Sequence, residues 1–361
     1  MKSQMFGWKP RVAAVAAPVV CAMMAAACGG GQPAGEGAGA TGTASAAVQV
    51  NGAGATFPYP IYSKWFDEYR KTHPAVQINY QSIGSGGGIR QITNGTVFFG
   101  ATDGPMTDEQ LSAASGRILH LPTVLGADVP VYNLPGVSAD LKFTGALLAD
   151  IFLGKVKTWN DPAIAALNAG LALPALDITV VHRSDGSGTT FIWTDFLSKT
   201  SAQWKEKVGA STAVSWPAGV GGKGNEGVAG LVTQTPGAIG YVELVYALQN
   251  KIAFGAVQNA NGEFVKASPE SVTAAAASAR MPDDFRVSLT NAPGAGAYPI
   301  SSFTWLLLYE DPADKAQAKA MVEFVKWALT DGQQFARQLG YAPLPADVVT
   351  RELAALARVK T

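Results

Sequence analysis

Three times in this chain a strand-like run breaks off in a short loop of glycine, serine and threonine, and a helical pattern starts soon after it. The loops are GAGATFPYP (residues 52–60), IGSGGGIRQI (83–92) and RSDGSGTTF (183–191). They are fed by VQVNGAG (48–54), VQINYQSIG (76–84) and LDITVVHRS (176–184), and are followed by IYSKWFDEYRK (61–71), a stretch from about Ile89, and TTFIWTDFLSK (189–199). A further helix is read over 313–330, where Met321, Val322, Val325 and Leu329 keep the helical period up to a stop at Asp331-Gly332. Strand, loop and helix in alternation restrict the chain to an α/β architecture with helices packed on sheets. No internal repeat is visible.

The three junctions share a chemistry. Each is expected to present free backbone N–H groups at a helix N-terminus together with a hydroxyl: Thr56 in the first, Ser85 in the second, Ser187 and Thr189 in the third. Glycine lets a backbone approach a ligand closely, first-turn amides lack helical partners, and the helix dipole adds partial positive charge. A single such loop is ordinarily no more than a capped helix start. Three of them, one with Arg183 beside it, point to one tetrahedral oxyanion. Arg183 alone reads equally as a surface ion-pair partner, and Asp103 in GATDGPM equally as a turn or N-cap residue.

The chain has 361 residues, 48% hydrophobic and 15% charged, which suits one large domain or two lobes. Its 27 basic residues balance 27 acidic ones, and without Lys2, Lys9 and Arg11 the balance becomes 24 against 27. A broad basic face for nucleic acid is therefore disfavoured, and an anion would have to be held by local hydrogen bonds. Other motifs fail on inspection. Lys223 in GVGGKGN lacks the following Ser or Thr of a phosphate loop, and Pro217 stands where its first glycine belongs. GAGATF and GSGGGI miss the last glycine of a dinucleotide fingerprint, and neither Ser85 nor Ser187 has the flanking glycines of a nucleophile elbow. His73, His120 and His182 are too scattered to suggest a metal site, and structural or surface roles are expected for them.

Residues 1–27 read as a secretory signal: three basic residues and no acid, then the apolar stretch 12–27, interrupted by Pro18 and short of a membrane span. Cys28 follows Ala-Ala-Ala and precedes Gly-Gly-Gly, a setting that resembles the lipobox of bacterial lipoproteins, although Ala25 stands where leucine is usual. Lipidation of Cys28 is the expectation, with ordinary cleavage the alternative. Residues 28–47 carry no large apolar side chain and read as a disordered tether with a reach of ~24 Å. Cys21 lies inside the signal, so the mature chain has at most one cysteine and no disulfide framework.

GAGATFPYPIYSKW, YQSIGSGGGIRQI, FGATDGPM, VVHRSDGSGTTF, WPAGVGGKGNEGVAGLV and PGAIGYVE, in this order, resemble the phosphate-binding proteins of bacterial Pst-type ABC phosphate uptake systems. The likeness runs over residues 50–349, with one visible departure at Phe98, where relatives often carry Asp. The resemblance implies an α/β, two-lobed periplasmic-binding-protein fold of type II with the ligand in the interlobe cleft. It implies that Thr56, Phe57, Ser85 and Asp103 bind phosphate from the first lobe and Arg183, Ser187, Gly188 and Thr189 from the second, with Asp185 holding Arg183. Lobe I is expected over 48–124 and 300–361 and lobe II over 125–299, with crossings near 123–126 and 299–302. The expected function is high-affinity phosphate binding outside the cytoplasmic membrane and delivery to the permease of an ABC importer. The protein is expected to be a monomer at the periplasm or cell surface, without enzymatic activity, metal, cofactor or nucleic-acid partner. A phosphate-ester hydrolase would need an activated nucleophile or metal cluster that the sequence does not offer, and an adhesion or signalling protein could reuse the same fold.

The anchor is testable first. Cys28→Ala protein is expected to lose its membrane association, read by fractionation of cells; a variant retained on the membrane as wild type is would exclude lipidation there.

Overall fold

The computed structural model describes residues 47–361, so the expected signal, Cys28 and nearly all of the expected tether lie outside the described residues. The main sheet contains β1 (Val48–Gly54), β2 (Val76–Ser82), β3 (Phe99–Thr102), β4 (Ile118–Tyr132), β5 (Thr179–Arg183), β6 (Val220–Gly222), β7 (Ala238–Glu243), β8 (Ala253–Phe254) and β9 (Ser301–Tyr309). Its order is β2-β1-β3-β9-β4-β7-β5-β6, with β8 also on β4. The outer groups β2-β1-β3 and β7-β5-β6 are parallel, and β9 and β4 run antiparallel between them. A small separate sheet joins Lys142–Phe143, Ala256–Gln258 and Phe264–Val265. The helices that matter below are α1 (Tyr59–Thr72), α2 (Ser85–Thr93), α3 (Gly188–Thr200), α4 (Gly224–Gln234), α5 (Leu244–Gln249), α6 (Lys315–Leu329) and α7 (Ala346–Leu356).

One strand joins the two halves. All 15 residues of β4 are buried, which accounts for its nearly continuous apolar sequence. Residues 118–127 pair with β9 and residues 128–132 with β7, so β4 exchanges partners between Ala127 and Asp128, one residue past the 123–126 stretch expected for a crossing. A bulge accommodates Pro122: Trp305 pairs with Pro122 and Thr304 with Val124, which leaves Thr123 as the extra residue. Proline has no N–H for the ladder and is tolerated where the ladder is interrupted.

Most of the expected helices form, with one instructive shift. In α1, Ile61, Tyr62, Trp65 and Tyr69 make the buried face, and Trp65 Nε1–H donates to Gly332 O (2.7 Å). In α6, Asp314 caps the first turn and Met321, Val322, Val325 and Leu329 are buried as their spacing required. The helix read from about Ile89 begins at Ser85 instead, so three glycines taken for loop form its first turn. The reason is contact: a Cβ on Gly88 would lie 2.6 Å from Gly54 Cα and 2.7 Å from Ala101 O, so only glycine lets α2 sit on the backbones of β1 and β3.

In α7, Val348, Glu352, Ala355 and Leu356 share the buried face, and Glu352 carries a carboxylate there. Neither of its oxygens has a hydrogen-bond partner among the described residues, and burial raises its pKa well above the ordinary value. Below the unfolded-state pKa of about 4.3 both states hold the proton. As the pH climbs above it only the unfolded state releases the proton, so stability falls by up to ~1.4 kcal/mol per pH unit until the folded-state pKa is reached. The difference in Tm between Glu352→Gln and wild type is therefore expected to grow in the variant's favour from pH 4 to pH 8, measured by calorimetric melting at both values. A difference independent of pH would show that Glu352 is ionised in the fold.

Candidate anion-binding site

The β1–α1 junction is set by three tyrosines. Tyr80 Oη–H donates to Ala55 O (2.8 Å), Tyr246 to Thr56 O (2.6 Å) and Tyr341 to Phe57 O (2.6 Å). In a planar trans peptide the N–H points opposite to the preceding C=O. Fixing the carbonyls of Ala55 and Thr56 therefore aims the amides of Thr56 and Phe57 the other way, and neither amide has a partner among the described residues. Two successive free amides make an anion-receiving concavity.

Ser85 opens α2, after Gly84 at a positive φ (87°) that favours glycine. Its Oγ–H donates to Asp103 Oδ2 (3.3 Å) and its Oγ accepts from Asp103 N (3.2 Å). Asp103 follows β3, and the antiparallel register of β9 brings Thr304 beside it, where Thr304 Oγ1–H donates to Asp103 Oδ1 (2.8 Å). Burial pushes the Asp103 pKa up to about 7, against the pull of Thr304, Arg183 and Ser85. Oδ1 is thus committed to Thr304, which leaves Oδ2 as the more available acceptor.

From the other half, Arg183 ends β5 and is nearly fully buried. Its Nε–H and an Nη2–H donate to the two oxygens of Asp185 (2.8 and 2.5 Å), and an Nη1–H donates to Thr189 Oγ1 (3.2 Å). A guanidinium has five N–H donors, so two remain for a ligand. Burial raises the pKa of Asp185, but the hydrogen bonds and charge of Arg183, with the Gly224 amide, bring it below the ordinary value. Ser187 caps α3 by accepting from Thr190 N (3.0 Å), which leaves its hydroxyl proton available.

The structure brings Ser85, Asp103, Arg183, Asp185, Gly188 and Thr189 together, and Asn225 joins Thr56 to Thr189. Gly188 N donates to Ser85 Oγ (3.0 Å) and Gly86 N to Gly186 O (2.9 Å), so these two amides, expected to be free, join the second junction to the third. A Cβ on Gly188 would lie 2.5 Å from Ser85 Oγ and 2.6 Å from Asp103 Oδ2, so the close approach depends on glycine. Sequence reasoning missed Thr304, Asn225 and the three tyrosines. Thr304 stands between Phe303 and Trp305 in a largely apolar strand, and Asn225 stands in GVGGKGN, which was weighed for its lysine and glycines rather than for its asparagine. The tyrosines gave no signal.

Two further acids stand nearby. Asp128 and Glu243 are register partners at the strand exchange, fully buried, and burial raises both pKa values well above normal. Both oxygens of Asp128 and Oε1 of Glu243 lack partners among the described residues. Among those residues no group of three or more His, Cys, Asp or Glu is placed to hold a metal ion.

Residues 39–331 match the PBP superfamily domain. The chain is 50% identical over 305 residues to the phosphate-binding protein PstS of Xylella fastidiosa strain Temecula1, covering 84% of this chain and 83% of that one. The chain belongs to the PstS family of phosphate-binding proteins. PstS of Pasteurella multocida strain Pm70 is likewise 50% identical over 305 residues, 84% of this chain and 88% of that one. Solved structures share the fold. The phosphate-bound substrate-binding protein from Clostridium perfringens has a TM-score of 0.62 at 18% identity, covering 82% of this chain and 100% of its own. The periplasmic phosphate-binding protein PfluDING has a TM-score of 0.68 at 22% identity, covering 85% and 93%. The two-lobed binding-protein fold expected of the family is the fold of this chain.

Thr304 favours the ionised form of Asp103 against its burial, so its loss should be visible as a titration. Thr304→Val is expected to move the Asp103 midpoint above about 7 in carboxyl carbon NMR, because the donor that favours the anion is gone, and Thr304→Ser to restore it. An unmoved midpoint in the valine variant would remove Thr304 from this role.

Proposed function

We propose that this chain binds inorganic phosphate between its two halves, outside the cytoplasmic membrane, and delivers it to the membrane permease of an ABC importer. Thr56, Phe57, Ser85 and Asp103 serve as ligands from lobe I, taken as residues 48–124 and 300–361, and Arg183, Ser187 and Thr189 from lobe II, residues 125–299, with Gly188 joining them when its amide exchanges Ser85 Oγ for the anion. Asp185 orients Arg183. The protein acts as a monomer, held at the membrane by a lipid on Cys28 once the signal has been removed. The relatives' names supply the ligand class, and those names are of binding proteins rather than enzymes.

The observation that carries this reading is the imbalance of the site. Two N–H groups of Arg183, the amides of Thr56 and Phe57 and the hydroxyl protons of Ser187 and Thr189 lack protein acceptors among the described residues, while Asp103 Oδ2 receives only the 3.3 Å bond of Ser85 and the neighbouring acids Asp128 and Glu243 have pKa values raised by burial. Many donors and a single acceptor suit a tetrahedral oxyanion that still carries a proton. Charge-assisted hydrogen bonds worth roughly 1.5–3 kcal/mol each reach micromolar affinity, about −8 kcal/mol, without long-range attraction.

Asp103 supplies selectivity, since a carboxylate accepts a hydrogen bond from a protonated oxygen of phosphate but only repels fully ionised sulfate. Asp103→Asn, whose amide can turn an N–H toward an oxygen, is expected to keep measurable phosphate binding while the phosphate-to-sulfate affinity ratio falls at least about tenfold. Calorimetric titration of both anions into both proteins checks this, and an unchanged ratio would withdraw Asp103 from the assignment.

A further inference from the structure

Asn225, in the first turn of α4, is completely buried, and it touches both threonine hydroxyls of the site. Its Nδ2 donates to Thr56 Oγ1 (2.8 Å) and to Thr189 Oγ1 (3.2 Å), and its backbone N–H donates to Thr56 Oγ1 as well (3.3 Å). Its Oδ1 accepts from Glu243 N (3.0 Å). That last bond fixes which way the amide faces, because a flipped amide would set its NH2 against the Glu243 N–H, donor to donor.

We propose that Asn225 is a positioning residue that fixes the polarity of Thr56 and Thr189, so that both hydroxyls can only donate to the bound anion. A hydroxyl has one proton and two lone pairs. Thr56 Oγ1 receives the side-chain and main-chain N–H of Asn225, while Thr189 Oγ1 receives Asn225 Nδ2 and Arg183 Nη1. With both lone pairs of each oxygen occupied, the remaining proton has only the ligand to go to. The hydroxyls thereby reach the ligand already oriented, one from each half of the molecule, and Asn225 couples the halves through them. The inference rests on the phosphate reading and adds a residue that contacts no ligand.

The test is a calorimetric titration of inorganic phosphate into wild type, Asn225→Ala, Thr56→Val, the double variant and Asn225→Asp. Absence of binding to wild type would overturn the phosphate reading, and this inference with it; every other outcome bears on Asn225 alone. Asn225→Ala is expected to weaken phosphate about tenfold or more, and in the Thr56→Val background the same change is expected to cost at least about threefold less. Asn225→Asp, equal in size but accepting where Asn donates, is expected to weaken binding more than alanine does. No loss from Asn225→Ala, equal losses in both backgrounds, or wild-type affinity in Asn225→Asp would overturn the proposal. If circular dichroism shows the variants unfolded, a phosphate-bound crystal structure of wild type decides. Both Oγ1 atoms must then lie within hydrogen-bond distance of phosphate oxygen and of Asn225 Nδ2, and either threonine failing this overturns the assignment.

Discussion

The buried ion pair of Arg183 and Asp185 is the interaction on which the rest of the site depends. A guanidinium almost without solvent needs a partner, and Asp185 meets two of its N–H groups side by side. The pairing fixes the guanidinium plane, and with it the direction of the two N–H groups left over. Asp185 also accepts the Gly224 amide, so the same carboxylate locks the start of α4 in place and with it Asn225. One carboxylate thus orients the cation and, through α4, the amide that addresses both threonine hydroxyls.

Around that pair the charge balance is acidic. Asp103, Asp128 and Glu243 are buried within electrostatic reach of one another, and burial raises the pKa of each. An anion entering such a place must be held by dipoles at contact range. The tyrosines on the carbonyls of Ala55 and Thr56 serve this need by turning peptide planes, and no extra cation is required. Gly86 and Gly186 meet backbone to backbone, where a Cβ on either would crowd the other's Cα at 3.2 Å, and Gly188 sits against the side chains of Ser85 and Asp103, where a Cβ would not fit.

Much of the fold was legible because strand and helix periods are local properties. The strands at 48–54 and 76–82, the second two residues shorter than expected, the buried face of α6 and the strand–loop–helix alternation follow from which side chains must be hidden. The limits of the local reading are just as specific. GSGGG has poor helix propensity and reads as loop, yet it is helical because Gly88 must sit on two strand backbones. Glu352 lies in α7, a helix the local patterns had not picked out, and its carboxylate is buried on the face of Val348 and Leu356.

The sequence by itself determined the α/β class, the three polar junctions and, through six ordered motifs, the family. It determined residue types, because hydroxyls, glycines and an arginine at strand ends are a chemistry that spacing alone can display. Tertiary structure alone decided which lone pairs and amides are already spent. Tyr341 meets Phe57 across 284 positions and Asn225 meets Thr56 across 169, and a hydrogen bond between such distant residues leaves no periodic trace in either segment. Direction at the site is set by those long-range bonds, since a peptide plane or a hydroxyl rotor has no preferred orientation until something on the far side of the fold claims one end of it.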